Sequence, residues 1–317
     1  SLFGLNVYVK NSGAALLLPI ESIYSGEDDG AAISIQRSSG QPVTESGGRY
    51  RPAAEYMFEV FKIVGSQAEP IESFTSAAVA TVEYDPEGLD PEKIGFYYFN
   101  DETGSWEYIR GARNDVGNHT FTASLPHFSR YGVLEFTRTY ADLAGVYPEA
   151  VRAIDVLSAH HLVQGVGADQ FAPGRATTRA EFVAMLSRLL GWEPMPYSGA
   201  FQDVQSVDWF ADTVETAYQL GVVTGYGSNF HPNDPITREQ MVTMLMRAYP
   251  AAASVPGGSA EPFDDDAAIS GWAQEAVYWA KSHGLVKGVG ANRFAPKGNT
   301  LRADMAVLFY NVMKSLA

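Results

Sequence analysis

Three arginines, Arg179, Arg238 and Arg302, hold one place in a recurring pattern, each three residues before an apolar series with the i, i+3, i+4, i+7 spacing of a helix face. The series are Phe182, Met185, Leu186 and Leu189; Met241, Met244, Leu245 and Ala248; and Met305, Leu308, Phe309 and Val312. Thr178 with Glu181, and Thr237 with Gln240, have the spacing of a capping box, which sets the arginine in the first helical turn. There the unpaired N–H groups and the positive end of the helix dipole favour an anion, so an exposed cation is disfavoured by roughly 0.3–1 kcal/mol. Three such placements point to an anionic partner, because a guanidinium fork holds a carboxylate through two parallel bonds. The alternative is an ion pair between each arginine and a carboxylate of a neighbouring repeat.

The same elements precede each arginine helix. VYPEAVRAI, WFADTVETA and WAQEAVYWA read as short helices, with Glu149, Asp212 and Glu275 spaced 63 residues apart in both steps. Each leads to a glycine turn: Gln164-Gly165-Val166-Gly167, Thr224-Gly225-Tyr226-Gly227 and Lys287-Gly288-Val289-Gly290. The glycines read either as helix C-caps or as points where backbone can approach a ligand. Phe171 and Pro173, Phe230 and Pro232, and Phe294 and Pro296 follow. The unit is therefore helix, glycine turn, extended loop, helix, with linkers at EPMPYSG (193–199) and PGGSAEP (256–262). One helix pair cannot bury both its faces, so three pairs are expected to close on one another as a pseudo-threefold all-α bundle with three related grooves.

Before Thr137 the period is different. GLNVYVKN (4–11), AAISIQR (31–37), YMFEVFKIV (56–64), AAVATVEYD (77–85), KIGFYYFND (93–101), WEYIRG (106–111), HTFTASL (119–125) and YGVLEF (131–136) read as strands, with a hairpin loop over 100–104. Eight short strands predict an antiparallel β-sandwich or barrel, giving a β + α chain.

Composition narrows the function. Lys+Arg 22 against Asp+Glu 37 leaves a net charge of −15, which argues against nucleic acid or an anionic membrane bound by bulk attraction. An anionic ligand must then be caught by a few placed cations. With no cysteine there are no disulfides, thiolate zinc sites or cysteine nucleophiles. No stretch of 18 apolar residues predicts a membrane span, and SLFGLNVYVKNSGAALLLPI lacks the features of a signal peptide, so the start reads as internal to a domain.

Phe201-Gln202-Asp203-Val204, Trp209, Gly225-Tyr226-Gly227, Phe230, Pro232 and Ile236-Thr237-Arg238-Glu239-Gln240 together resemble an S-layer homology (SLH) domain. Phe263, Asp265, Trp272, Gly288, Phe294, Pro296 and Arg302 repeat the resemblance. It implies an Ig-like β-sandwich module over 1–137 followed by SLH repeats at 138–198, 199–259 and 260–317. The implied role is a non-covalent anchor on the surface of a Gram-positive cell, bound to secondary cell wall polymer or peptidoglycan-linked glycan whose N-acetylmannosamine carries a pyruvate ketal. The ketal offers one carboxylate, assigned to Arg179, Arg238 and Arg302. Sugar contacts would come from Gln164, Thr224 and Lys287, from Gly165, Gly167, Gly225, Gly227, Gly288 and Gly290, and from Asp142, Asp203 and Asp265. Those aspartates read equally well as caps of the first helix. Trp209 and Trp272 are either sugar platforms or core. No cofactor, metal or catalytic residue is expected. The rivals are a wall-anchored enzyme acting on glycans and a self-assembling lattice protein.

The repeats are not identical. Leu301 replaces the capping threonine unless Thr300 substitutes, Val146 or Tyr147 stands where tryptophan is expected, and the second glycine turn reaches its phenylalanine in five residues against six. Unequal grooves are expected. Gly165-x-Gly167 lacks the strand and third glycine of a dinucleotide fingerprint, and His160-His161 has no partner at ligand spacing. Asp264-Asp265-Asp266 and Glu27-Asp28-Asp29 lack the spaced oxygens of a calcium loop.

Overall fold

The structure, a computed structural model, describes residues 5–23, 30–45, 47–71, 73–167, 169–249 and 261–316. The acidic run at 27–29 and most of the second linker lie outside these described residues. The chain divides into two compact units, Ser1–Thr139 with Ser158–His161, and Tyr140–Leu157 with Leu162–Ala317.

In the first unit the alternating sequence builds two antiparallel sheets. One runs β1 (Asn6–Asn11), β2 (Ala14–Pro19), β7 (Ser73–Glu83), β11 (Thr120–His127) and β10 (Arg113–Asp115). The other runs β3 (Gly30–Ser38), β5 (Gly48–Val64), β12 (Arg130–Thr137), β8 (Ile94–Asn100) and β9 (Ser105–Tyr108), with β4 (Val43–Glu45) and β6 (Gln67–Pro70) both paired to β5. Leu16, Leu18, Val82 and Leu125 of the first sheet meet Phe58, Tyr131 and Val133 of the second in one core. Phe96 and Phe121 stack across it at 6.1 Å. The predicted hairpin over 100–104 is present: Gly104 N donates to Asn100 O (2.8 Å), and Gly104 adopts φ +65°. Sequence periodicity missed β2 because AALLLP is apolar on both faces. It missed β4, β6 and β10 because each is only three or four residues long.

The four residues 158–161 count with this unit. Tyr97 donates to Ala159 O (3.0 Å), and the two ring nitrogens of His160 meet Tyr108 Oη and Glu92 O, both at 2.9 Å. His161 lies among Tyr97, Tyr108 and Phe136, and burial pushes its pKa down to about 4.

The second unit holds α1 (Pro148–Ala159) except its last two residues, α2 (Arg179–Leu190), α3 (Ala211–Gln219), α4 (Arg238–Ala248), α5 (Gln274–Ser282) and α6 (Arg302–Leu316). Each of α2, α4 and α6 begins at its arginine. Both capping boxes form, Thr178 with Glu181 and Thr237 with Gln240. Thr300 does not replace the missing one, since its hydroxyl is buried without a partner. Thr177 N donates to Thr300 O, Thr300 N to Ile236 O and Ile236 N to Thr177 O, each at 2.9 Å. This ring of backbone bonds passes from repeat to repeat and returns to its start, closing the pseudo-threefold arrangement. Phe182, Met241 and Met305, one from each repeat, are buried in the common core, and Phe182 packs on Phe309 at 5.3 Å. The linker over 193–199 is tied down: Met195 N donates to Thr216 Oγ1 and Ser198 N to Glu215 Oε2.

Candidate functional site

The loop before each second helix is shaped by an aspartate. Asp142 accepts from Phe171 N (2.9 Å) and Ala172 N (2.7 Å), Asp203 from Phe230 N and His231 N (both 2.7 Å), and Asp265 from Phe294 N and Ala295 N (both 2.8 Å). The second amide in each pair belongs to a residue at positive φ: Ala172 at +58°, His231 at +58° and Ala295 at +55°. Left-handed backbone at a non-glycine residue costs of order 1 kcal/mol, and the paired charge-assisted bonds offset it. Burial raises the pKa of Asp142 and Asp265, but these amide bonds outweigh it and hold both carboxyls below the usual range. The capping expectation for the aspartates is thereby corrected: they cap no first helix, and each carboxylate oxygen accepts a backbone amide of the loop.

The clamp presents the phenylalanine carbonyl to an arginine of a different repeat. Arg179 Nε donates to Phe230 O (2.9 Å), Arg238 Nε to Phe294 O (2.8 Å) and Arg302 Nε to Phe171 O (2.9 Å). Each guanidinium also lies over the ring whose carbonyl it binds, at 4.8, 5.0 and 4.6 Å in the same order. Only 4, 7 and 5% of these arginines is exposed. Burial pulls all three pKa values down from the ordinary guanidinium value, with Asp304 acting against it at Arg238. Among the described residues no carboxylate pairs with any of them, so the inter-repeat ion pair is replaced by carbonyls and ring faces.

The helix N-termini also differ from expectation. Arg179 N donates to Asp234 O and Ala180 N to Pro232 O, Arg238 N to Gly298 O and Glu239 N to Pro296 O, and Arg302 N to Arg175 O and Ala303 N to Pro173 O. The first two amides of each helix are already satisfied by the adjacent repeat, so the side-chain fork rather than the helix end is what remains for an anion. Among the described residues, the Nη nitrogens of Arg179 and Arg238 have no hydrogen-bond acceptor, whereas Arg302 Nη2 donates to Gln164 O at 2.7 Å.

Two grooves with a shared plan contain the first two arginines. Around Arg179 lie Thr224, Gly225, Tyr226, the α4 residues Gln240 and Arg247, and Trp272 of the third repeat, enclosing about 270 Å³. Around Arg238 lie Lys287, Gly288, Val289, the α6 residues Asp304 and Asn311, and Tyr147 of the first repeat, enclosing about 730 Å³. Each groove thus takes its arginine from one repeat, its glycine turn and helix from the next, and its aromatic residue from the third. That relay is invisible in sequence, where Trp272 would be assigned to the groove of its own repeat.

Trp209 and Trp272 are 64% and 56% exposed, so neither is core. Tyr147 occupies the equivalent place and donates to Asp304 Oδ1 at 2.8 Å. The glycine pairs divide their roles. A Cβ on Gly165, Gly225 or Gly288 would come within 2.4–2.6 Å of a facing atom, while Gly167, Gly227 and Gly290 have open space around them. Gly227 and Gly290 are needed for their φ of +61° and +102°. None of the six is a helix C-cap, since the first helices end at Ala159, Gln219 and Ser282 and the left-handed residues that follow them are His161, Gly221 and Gly284. In the acidic run, Asp264 accepts from Asn292 Nδ2, Asp265 clamps the loop and Asp266 accepts from Tyr278 Oη.

Sequence reasoning missed two groove residues. Tyr226, the middle residue of the second glycine turn, lies over Arg179 at 5.1 Å and accepts a bond from Gln240 Nε2. The position two residues after each arginine, occupied by Glu181, Gln240 and Asp304, sets the polarity beside the guanidinium. In the first repeat Glu181 is taken by Arg175. The signal for this position was present in the aligned repeats, as acid, amide, acid.

The sequence model of the S-layer homology domain matches residues 139–183, 200–242 and 262–306. The chain is 34% identical over 314 residues to an amylopullulanase of Thermoanaerobacterium thermosulfurigenes, a match covering 98% of the chain and 16% of the relative. It is 40% identical over 226 residues to exoglucanase XynX of Acetivibrio thermocellus, covering 70% of the chain and 20% of that protein. An S-layer protein of Bacillus thuringiensis subsp. finitimus is 28% identical over 158 residues, covering 49% and 19% respectively. The chain therefore spans a fifth or less of each of these relatives.

Proposed function

Three S-layer homology domains across residues 139–306 make this an SLH-domain surface protein, and we propose that it grips an acidic cell-wall glycan through the fork of Arg179. SLH domains anchor surface proteins to the cell wall, and a cell-wall glycan is the partner. The ligand proposed here is N-acetylmannosamine bearing a pyruvate ketal. Its carboxylate would take the two Nη nitrogens of Arg179, with Thr224 and the backbone at Gly225 against sugar hydroxyls and Trp272 against an apolar sugar face.

The observation carrying this reading is the state of the arginine. Its Nε is tied to Phe230 O and its guanidinium lies over the rings of both Tyr226 and Phe230, so the fork is held in place before a ligand arrives. Pre-organisation of that kind removes the ordering cost that a flexible cation would bring to binding. Gln240 beside it is neutral, and Arg247 adds a second cation to the groove. Arg302, with Nε and Nη2 both bound to the protein, is the least suited of the three.

Relatives named as an amylopullulanase and an exoglucanase support a second element of the proposal, that this chain is the non-catalytic tether of a longer glycan-acting protein, with the sandwich as a spacer. Titration of pyruvylated methyl N-acetylmannosaminide into the chain tests the binding role. Arg179→Ala is expected to weaken affinity at least tenfold, and Arg179→Lys nearly as much because one ammonium cannot make two parallel bonds. Equal affinity in wild type and Arg179→Ala would refute it.

A further inference from the structure

Resting on that reading and carrying it further, we propose that the groove of Arg238 is a site for an uncharged stretch of glycan, different in ligand class from the acid-binding groove of Arg179. The two grooves are built on one plan, so their differences at equivalent positions are informative.

Beside the arginine, Gln240 of the first groove becomes Asp304. This carboxylate is among the charges nearest Arg238, and Tyr147 Oη holds it in place at 2.8 Å. A ligand carboxylate approaching Arg238 would meet a resident carboxylate, while a sugar hydroxyl would find an acceptor there. The wider lining differs in where its carboxylates sit. Arg179 lines two cavities, one with Arg247 and no carboxylate and one that adds Asp234, whose side chain is 68% exposed beside His231, whereas the cavity of Arg238 sets Arg152, Arg238 and Lys287 against Glu149 and Asp304.

Over the arginine, Tyr226 of the first groove becomes Val289. The tyrosine ring that caps Arg179 has no counterpart over Arg238, where one cavity of about 730 Å³ stands in place of two, of about 270 and 260 Å³, that share Arg179, Tyr226 and Gln240. Pockets of ~300–1,000 Å³ are the usual size for a small-molecule site, and the second groove falls within that range as a single undivided cavity. At the far wall Trp272 becomes Tyr147, and Tyr310 adds a second phenol ring among Leu285, Val286, Val307 and Leu308. Aromatic and aliphatic walls with a few placed amide and carboxylate groups match the chemistry of neutral pyranoses, which present C–H faces and hydroxyl edges.

The experiment titrates the whole chain with two probes, the ketal-bearing monosaccharide and an uncharged N-acetylhexosamine disaccharide lacking the ketal. The expected result is one equivalent of each, with disaccharide affinity changed less than twofold when the acid is saturating. Tyr147→Ala, at an exposed position where folding is not at risk, is expected to weaken the disaccharide at least tenfold. Asp304→Gln, which copies the first groove, is expected to raise the stoichiometry of the acid from one to two. Absence of disaccharide binding, competition between the probes, two equivalents of acid in the wild type, or indifference to Tyr147→Ala would each overturn the assignment. Loss of acid binding by the wild type would instead defeat the reading of the Arg179 groove and leave the disaccharide arm standing.

Discussion

Replacing each repeated arginine by methionine separates structure from recognition, because methionine keeps much of the apolar stem while deleting the fork. At Arg302 the change removes two hydrogen bonds, Nε to Phe171 O and Nη2 to Gln164 O, and a ring contact at 4.6 Å. Hydrogen bonds from a charged donor contribute about 1.5–3 kcal/mol each, and a desolvated cation–π contact about 1–2 kcal/mol. The expected loss is therefore about 4–8 kcal/mol, which includes the cost of two carbonyls left unpaired. Arg238→Met removes one bond and one ring contact and should cost about 2.5–5 kcal/mol on the same scale. Arg179→Met falls between them, because Tyr226 supplies a second ring. Urea unfolding of the three variants, followed by tryptophan fluorescence, gives the order directly, provided the slope is unchanged. Acid affinity should not follow that order: it should be lost with Arg179→Met and retained with Arg302→Met at temperatures where that variant is folded. If Arg302→Met is no less stable than Arg238→Met, the division between a structural and a ligand-binding arginine is wrong.

Two further predictions follow from backbone and proton chemistry. A Cβ at Gly225 would sit 2.4 Å from the Phe201 ring and 2.8 Å from Asn229 O at φ +67°, so Gly225→Ala should cost about 2–4 kcal/mol by calorimetry; Gly227→Ala, which meets only open space at φ +61°, should cost about 1 kcal/mol. His161 is held neutral by burial, with a pKa of about 4 against 6.5 when unfolded; the unfolded chain thus binds the extra proton, and stability present above pH 6.5 is lost as pH falls toward 4. Between pH 7 and pH 5 this amounts to about 2 kcal/mol. His161→Asn, which tolerates the positive φ, should flatten the measured fall in stability by that amount; an unchanged pH profile would show that the ring is protonated in place.

How much of this was legible in sequence depends on the range of the interaction. Features that act within a helical turn could be read: the capping boxes at Thr178 and Thr237, the start of α2, α4 and α6 at an arginine, and the apolar series that meet in the core. The β half was legible where strands alternate, and lost at β2, where both faces are apolar. The site was legible as a set of positions but not as an assembly. The fork of Arg179 touches Phe230, and Arg302 touches Phe171 across 131 residues of sequence, so each pairing depends on how the ring of repeats closes. The aspartates show the same limit. Asp142, Asp203 and Asp265 recur because each must hold two amides some 30 residues downstream, a demand made by left-handed backbone at Ala172, His231 and Ala295 that no local pattern records. Repetition shows that a position matters in every repeat, but only departures from it say where the repeats differ in use. Here those departures, Asp304 for Gln240 and Val289 for Tyr226, fall inside the grooves and leave the clamp, the stacked arginine and the central ring of backbone bonds unaltered. On the proposed reading, a scaffold kept constant around variable lining lets related grooves hold different parts of one polymer.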